Sequence, residues 1–367
     1  MPGKKFHLRN DYYATKKISD YNISIGDFST GKLNKITDVT GVSVGHSTLS
    51  NEIDQTGITV IKPHPGNTFE SKVIAATHVI NGFGKSTGLL QVDELGTIET
   101  PIVLTNTLSV GTAYTSIIEY MLNGNPNIGL TDGTVNPIIM ECNDGYLNTI
   151  RNLSIKNEHI FDAIKCASDE FLEGSTGAGT GMSCFGLKGG IGSSSRVIEI
   201  DDKSYVLGTL VLSNFGKRKD LMINGQFVGK EIPETDNNRL PKTEQGSIII
   251  ILATDIPLIP SQLKRIAKRA SVGISRTGGH IGHGSGEIVI AFTTKNQIKH
   301  HDISALSSIQ IIHQDYLDKI FNMTIESVEE SILNSMITAK ETTGFMNHKR
   351  RSLKDFIYLY KNNEARI

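Results

Sequence analysis

The sequence predicts a layered α/β protein, and three of its features do so. Strand-length aliphatic runs recur at residues 206–212 (VLGTLVL), 248–252 and 287–292 (EIVIAF), helical patterns stand among them at 261–270 and 312–340, and no segment repeats at a fixed period. The 367 residues, 38% of them hydrophobic, hold enough apolar material to outweigh chain entropy. That length suits one large layered core or two small domains.

From the N-terminus, residues 1–30 read as a polar arm. Residues 36–48 (ITDVTGVSVGHST) alternate small and β-branched side chains, the pattern of a strand-turn-strand, and 57–63 (GITVIKP) reads as another strand. Residues 101–105 form a short buried strand. Residues 111–122 form a helix with Ile117, Ile118 and Met121 on its apolar side. Residues 159–172 are amphipathic, with Ile160, Ile164 and Phe171 on one face, and Gly174 is the expected stop. Eight glycines from 174 to 192 argue against helix or long strand there and for a loop folded close against something. The stretch 216–246 is polar and aperiodic, a surface linker. At Gly246-Ser247 the chain changes to five consecutive aliphatics, a central strand. Ser261 is placed to cap a helix whose Leu263, Ile266, Ala267 and Ala270 share a face, with Lys264, Arg265, Lys268 and Arg269 solvated opposite. Residues 312–340 give one or two amphipathic helices.

Composition excludes several functions. Thirty-seven Lys and Arg against thirty-eight Asp and Glu leave a net charge of -1, so nothing attracts nucleic acid or anionic lipid globally. No apolar run of seven opens the first thirty residues and none of eighteen occurs later, so a soluble, cytoplasmic protein without nucleic-acid or membrane partners is expected. Cys142, Cys166 and Cys184 are odd in number and lack CxxC spacing. They are expected to be buried, reduced thiols outside any site. Gly84-Lys85-Ser86 resembles the end of a phosphate loop, but Val79 stands where its first glycine belongs. Gly177, Gly179 and Gly181 are spaced too closely for a dinucleotide fingerprint. His280 and His283, with His300 and His301 downstream, suggest a metal only if a helix can align the first two, and GGHIGHGSG cannot form one. Neither metal nor organic cofactor is expected.

The junction itself carries chemistry. A polar segment ending in Gly246-Ser247 runs into an aliphatic strand, and a hydroxyl after glycine is what self-cleavage by an N-to-O acyl shift requires. The hydroxyl attacks the preceding carbonyl, glycine relieves crowding there, and hydrolysis of the ester leaves Ser247 as a new N-terminus. Its α-amine, with an ordinary pKa of about 7.7–8.0, can then serve as base for its own hydroxyl.

Segments across residues 36–340 resemble a known family. They are ITDVTGVSVGH, THVINGFGKSTGLLQVDELGTIETPIVLTNTLSVG, ECNDGYLN, STGAGTGMSCFGLKGGIGSSSR, LVLSNFG, GSIIIILATDIPLIPSQLKRIAKRA and HGSGEIVIAF. Together they resemble the self-processing aminopeptidases that include the L-aminopeptidase D-amidase/esterases and the β-peptidyl aminopeptidases. The resemblance implies a four-layer α/β/β/α sandwich, like the N-terminal nucleophile hydrolases but differently connected. It implies self-cleavage into an α subunit (1–246) and a β subunit (247–367) that share one structural domain, and a homo-oligomer of such processed pairs.

The resemblance also assigns roles. Ser247 is the nucleophile, and Ser285 and Glu287 are the hydroxyl and carboxylate that assist it. Placed two apart at the start of a strand, their side chains can share a face. Asn214 and Tyr146 meet the developing oxyanion, and Glu141 binds the substrate's free amine. Substrates would be short peptides or aminoacyl amides and esters with an L-, D- or β-aminoacyl group. Two rivals carry different expectations. An acyltransferase similar to the ornithine acetyltransferases would use threonine where this chain has Ser247, and a noncatalytic binding relative would have lost part of the set.

Overall fold

The structure, a computed structural model, describes residues 15–233 and 246–364. Strands β1 (Ser43–Ser50), β2 (Gln55–Lys62) and β3 (Ser71–Gly82) precede helix α1 (Leu89–Leu95). Then come β4 (Thr97–Ile98), β5 (Ile102–Asn106), α2 (Val110–Gly124), β6 (Ile138–Cys142), α3 (Asn157–Lys165) and a ribbon of β7 (Ser183–Cys184) and β8 (Leu187–Lys188). Next are β9 (Gly190–Ile200), β10 (Lys203–Asn214), β11 (Ser247–Thr254), α4 (Pro260–Arg276), β12 (Gly286–Lys299) and α5 (Leu317–Ile337). A second ribbon, β13 (Thr342–Thr343) with β14 (Lys349–Arg350), and α6 (Ile357–Glu364) complete the order.

Two sheets result, a four-stranded one ordered β1-β2-β5-β6 and a six-stranded one ordered β4-β3-β12-β11-β10-β9. Their facing sides share one apolar layer, in which Val44, Ile61, Leu104 and Met140 of the first meet Leu212, Ile249, Ile251 and Ile290 of the second. Helices α2 and α3 cover the outer side of the small sheet around Ile58, Val60, Val103 and Ile139. Helices α4 and α5 cover the outer side of the large sheet around Val211, Ile248, Ile250 and Leu252. This is the four-layer α/β/β/α sandwich. It explains the unbroken aliphatic run of β11, which is buried on both faces and so has no polar side to alternate with. Among the described residues no helix is long and apolar enough to cross a membrane.

Several sequence expectations are corrected. Of residues 1–30, those from 15 onward are not an arm: Ile18, Ile23 and Ile25 are buried in the core on the α4/α5 side. The first half of the expected strand-turn-strand is a 3-10 turn, Ile36–Asp38, and only β1 is a strand. Helix α3 stops at Lys165 rather than near Gly174, because the chain leaves it to pair with β1 through Val44 N–H to Ser168 O (2.9 Å) and Ser168 N–H to Val44 O (3.1 Å). Phe171 therefore lies beyond the helix.

The glycine-rich stretch does contain a long strand, β9. At Gly192 a Cβ would stand 1.9 Å from the Ser331 carbonyl of α5, so glycine here permits the helix to seat on the sheet. Ser261 is not the cap of α4, whose N-cap is Ile259 with Pro260 in the first turn and Gln262 Oε1 accepting from Ile259 N–H at 3.3 Å. The four apolar and four basic positions of α4 fall inside and outside as expected, although Lys264 and Arg269 are half-buried. Residues 216–233 are not a surface linker: Arg218, Leu221, Ile223, Val228 and Ile232 are buried. The remainder of that expected linker, 234–245, lies outside the described residues, as does the arm before residue 15.

Candidate active site

Ser247 is the first residue of β11, and the register sets its neighbours. It stands opposite Asn214, the last residue of β10, and beside Gly286, the first of β12. Strand alternation turns it, with Ile249 and Ile251, toward the small sheet. The Gly246 carbonyl just before it accepts a hydrogen bond from Gly286 N–H at 3.0 Å. A Cβ on Gly246 would lie 2.6 Å from Asn214 O and 2.8 Å from Phe215 Cα, so this close approach requires glycine. The bond between Gly246 and Ser247 is thereby fixed at the mouth of the sheet, its carbonyl polarised and its α-carbon closely packed against β10 and Phe215.

A cleft of about 1110 Å³ opens over this junction. Gly246, Ser247, Asn214, Tyr146 and Glu141 all line it. The Asn214 amide is oriented at both ends, its Oδ1 accepting from Ser183 N–H (2.8 Å) and its Nδ2 donating to Asn143 O (2.9 Å). An amide nitrogen has two hydrogens, so a second donor remains on this cleft-lining residue. Glu141, at the end of β6 and 4% exposed, accepts from Lys85 N–H at 2.8 Å and from the Thr107 hydroxyl. A desolvated carboxylate at the wall of a cleft suits an ammonium ligand. Lys85, met in the sequence as part of a failed phosphate loop, contributes its backbone here.

Ser285 and Glu287 are fully buried and are not among the lining residues. They are joined by a hydrogen bond from the Ser285 hydroxyl to the Glu287 carboxylate, as their spacing predicts. Asn81, which sequence reasoning missed, holds the turn before them by donating through Nδ2 to Gly282 O (3.1 Å) and to Ser285 O. The pair therefore forms a buried polar unit at the start of β12, the strand that flanks Ser247.

Cys142 and Arg350 belong to the site's surroundings without having been anticipated. Cys142 is not outside the site: its buried thiol lies close to Ser247 and donates to Leu212 O at 3.5 Å, and burial pushes its pKa well above the usual thiol value. Cys166 is exposed rather than buried. Arg350 also lines the cleft, and its Nη1 donates to the Tyr146 hydroxyl at 2.7 Å. Neither residue carries a sequence signal, since each meets the site only through the packing of distant strands. Of the histidines weighed as ligands, His300 and His301 group with Asp132, while His280 and His283 line the cleft. Lys72 Nζ lies 2.9 Å from His300 Nδ1, so an ammonium already faces that group.

Comparison with known proteins agrees with this geometry. Residues 34–350 match the profile of Peptidase family S58. The chain is 37% identical over 337 residues to the β-peptidyl aminopeptidase BapA of Sphingosinicella microcystinivorans, covering 86% of this chain and 84% of that one. Its structure superposes on that of a protein from Pyrococcus horikoshii with a TM-score of 0.90 and 48% identity, over 95% and 99% of the two chains. With the L-aminopeptidase D-Ala-esterase/amidase of Ochrobactrum anthropi, described as a prototype serine aminopeptidase with a variant Ntn hydrolase fold, the TM-score is 0.88 at 33% identity, over 95% and 99%. These likenesses favour a hydrolase over the acyltransferase alternative. A match over most of the chain and a shared fold place the protein in peptidase family S58, as a hydrolase acting on peptide bonds.

Proposed function

We propose that the protein is a self-activated aminopeptidase that releases the N-terminal residue from short peptides, amides or esters, with Ser247 as nucleophile. The observation that carries this reading is the junction itself: Ser247 opens β11 within a cleft, after a glycine whose carbonyl is held by Gly286 N–H. In maturation the Ser247 hydroxyl adds to the Gly246 carbonyl, the peptide C–N bond breaks as an ester C–O bond forms, and water hydrolyses the ester. The products are chains 1–246 and 247–367, the second with a free α-amine at residue 247.

In turnover that amine takes the Ser247 hydroxyl proton as the oxygen attacks the substrate carbonyl. The Asn214 amide and the Tyr146 hydroxyl stabilise the oxyanion, and Glu141 pairs with the substrate's ammonium. The Ser285–Glu287 pair orients the N-terminal residue. Collapse expels the leaving amine and leaves an acyl-enzyme, which water then cleaves. All of these groups belong to the chain, and no step requires a metal or organic cofactor. The processed pair associates into a soluble cytoplasmic homo-oligomer. The names of the relatives, β-peptidyl aminopeptidase and L-aminopeptidase D-Ala-esterase/amidase, support the aminopeptidase class.

Acid-quenching the protein during turnover of an alanyl ester and measuring intact masses tests the reading. An alanyl adduct is expected on the chain that begins at residue 247. An adduct on the other chain, or none under turnover, would contradict it.

A further inference from the structure

We propose that Arg350 is a positioning residue that acts through Tyr146, fixing and polarising its hydroxyl so that its hydrogen points to the substrate's oxyanion. This rests on the reading that Tyr146 meets that oxyanion. Arg350 is 3% exposed, its Nη1 donates to the Tyr146 hydroxyl oxygen at 2.7 Å, and its guanidinium carbon lies 3.6 Å from the centre of the Tyr146 ring. A phenol has one hydrogen to give and two lone pairs to offer. With a cation occupying an acceptor position, the hydroxyl oxygen is held and its own hydrogen is directed elsewhere, and the bond to the cation strengthens the phenol as a donor. Both residues line the cleft that holds Ser247.

The rest of the segment clamps the same loop. His348 stacks on Tyr146 at 4.4 Å with planes 12° apart, and its Nδ1 lies 2.8 Å from Tyr146 O. Phe345 N–H donates to Leu147 O at 2.7 Å. Arg350 itself is secured by its place on β14, paired with Thr342, and by a second bond from Nη1 to Lys349 O at 3.1 Å. The β13/β14 ribbon therefore brings a buried cation against Tyr146, a placement that a merely solvating arginine would not need. Lysine could supply the charge but not the planar fork lying on the ring.

A double-mutant cycle on the processed enzyme tests this, with an alanyl-p-nitroanilide substrate and thermal melting as the check on folding. Arg350→Met is expected to lower kcat about 10- to 100-fold with KM within about threefold, less than the loss of an entire oxyanion donor. In a Tyr146→Phe background, where there is no hydroxyl to position, the same change should lower kcat less than about twofold. Arg350→Lys should fall between wild type and Arg350→Met, and it closes the same cycle if the methionine variant does not fold. Equal losses in both backgrounds would show a structural role and overturn the proposal, as would an unchanged kcat. If Tyr146→Phe alone is fully active while Ser247→Ala is inactive, the role given to Tyr146 fails and the hydrolase reading stands. If wild type releases no nitroaniline, that reading itself fails.

Discussion

Ser247 and Asn214 stand directly opposite each other across the β10–β11 ladder, the first residue of one strand facing the last of its neighbour. The hydroxyl proposed as nucleophile and a candidate oxyanion donor thus stand on strand ends whose separation is set by sheet geometry rather than by a loop. Such placement costs no reorganisation when charge develops.

Asn214→Asp should therefore lower kcat about 10²- to 10³-fold while changing KM less than about fivefold. The aspartate still accepts from Ser183 N–H but has no hydrogen to give the oxyanion. Steady-state kinetics with alanyl-p-nitroanilide check this, and an unchanged kcat would place the oxyanion donor elsewhere.

Blocking the substrate's α-amine should abolish efficient turnover. An N-acetylated alanyl anilide loses its pairing with Glu141, a loss of about 2–5 kcal/mol for a desolvated charge pair, or roughly 30- to several-thousand-fold in kcat/KM. Glu141→Gln should narrow that discrimination, since glutamine can still accept from Lys85 N–H while carrying no charge. Equal kcat/KM for free and acetylated substrates would mark a general amidase.

Iodoacetamide at neutral pH should modify Cys166 without loss of activity. Cys166 is exposed, whereas the Cys142 thiol beside Ser247 is buried with its pKa raised by desolvation and so is held as the unreactive thiol. Mass spectrometry of the labelled protein with a parallel assay reads both, and inactivation in step with Cys142 labelling would contradict this.

Acid should destabilise the fold through His46, whose pKa burial lowers to about 4. Its Nε2 hydrogen donates to Leu172 O (3.1 Å), so Nδ1 is the acceptor facing the Thr59 hydroxyl (2.9 Å), and protonation would spoil that arrangement. A depressed pKa contributes stability that is present above the unfolded value of about 6.5 and is lost as pH falls through about 4, here about 2–3 kcal/mol. Urea melts at pH 7 and pH 4 should show that loss, and His46→Gln should reduce it. An identical pH dependence in the variant would assign the acid sensitivity to other groups.

How much was legible in the sequence follows from what each residue contacts. The run of β11 declares burial on both faces, and the spacing of Ser285 and Glu287 declares a shared side, so both were readable along the chain. Gly190 and Gly192 read as loop because their strand role depends on the approach of the chain at Gly174 and of α5 at Ser331, which local composition does not record. Likewise 216–233 looks polar, yet Arg218 is buried by donating to the carbonyls of Pro233 (2.9 Å) and Gly186 (2.8 Å). Cys142 and Arg350 reach the site through sheet stacking and a late ribbon, and no short-range pattern marks either.

Ser247→Ala tests the central claim most directly, read by denaturing electrophoresis and by hydrolysis of alanyl-p-nitroanilide. Scaling 40.0 kDa by 246/367 and 121/367 gives wild-type fragments of about 27 and 13 kDa. The alanine variant should run as one chain near 40 kDa, release no nitroaniline, and remain folded, since losing one hydroxyl at a strand start costs about 1–2 kcal/mol. Two fragments with the second beginning at residue 247 would show that another protease makes the cut, and hydrolysis at the wild-type rate would show that the nucleophile lies elsewhere and contradict the central claim.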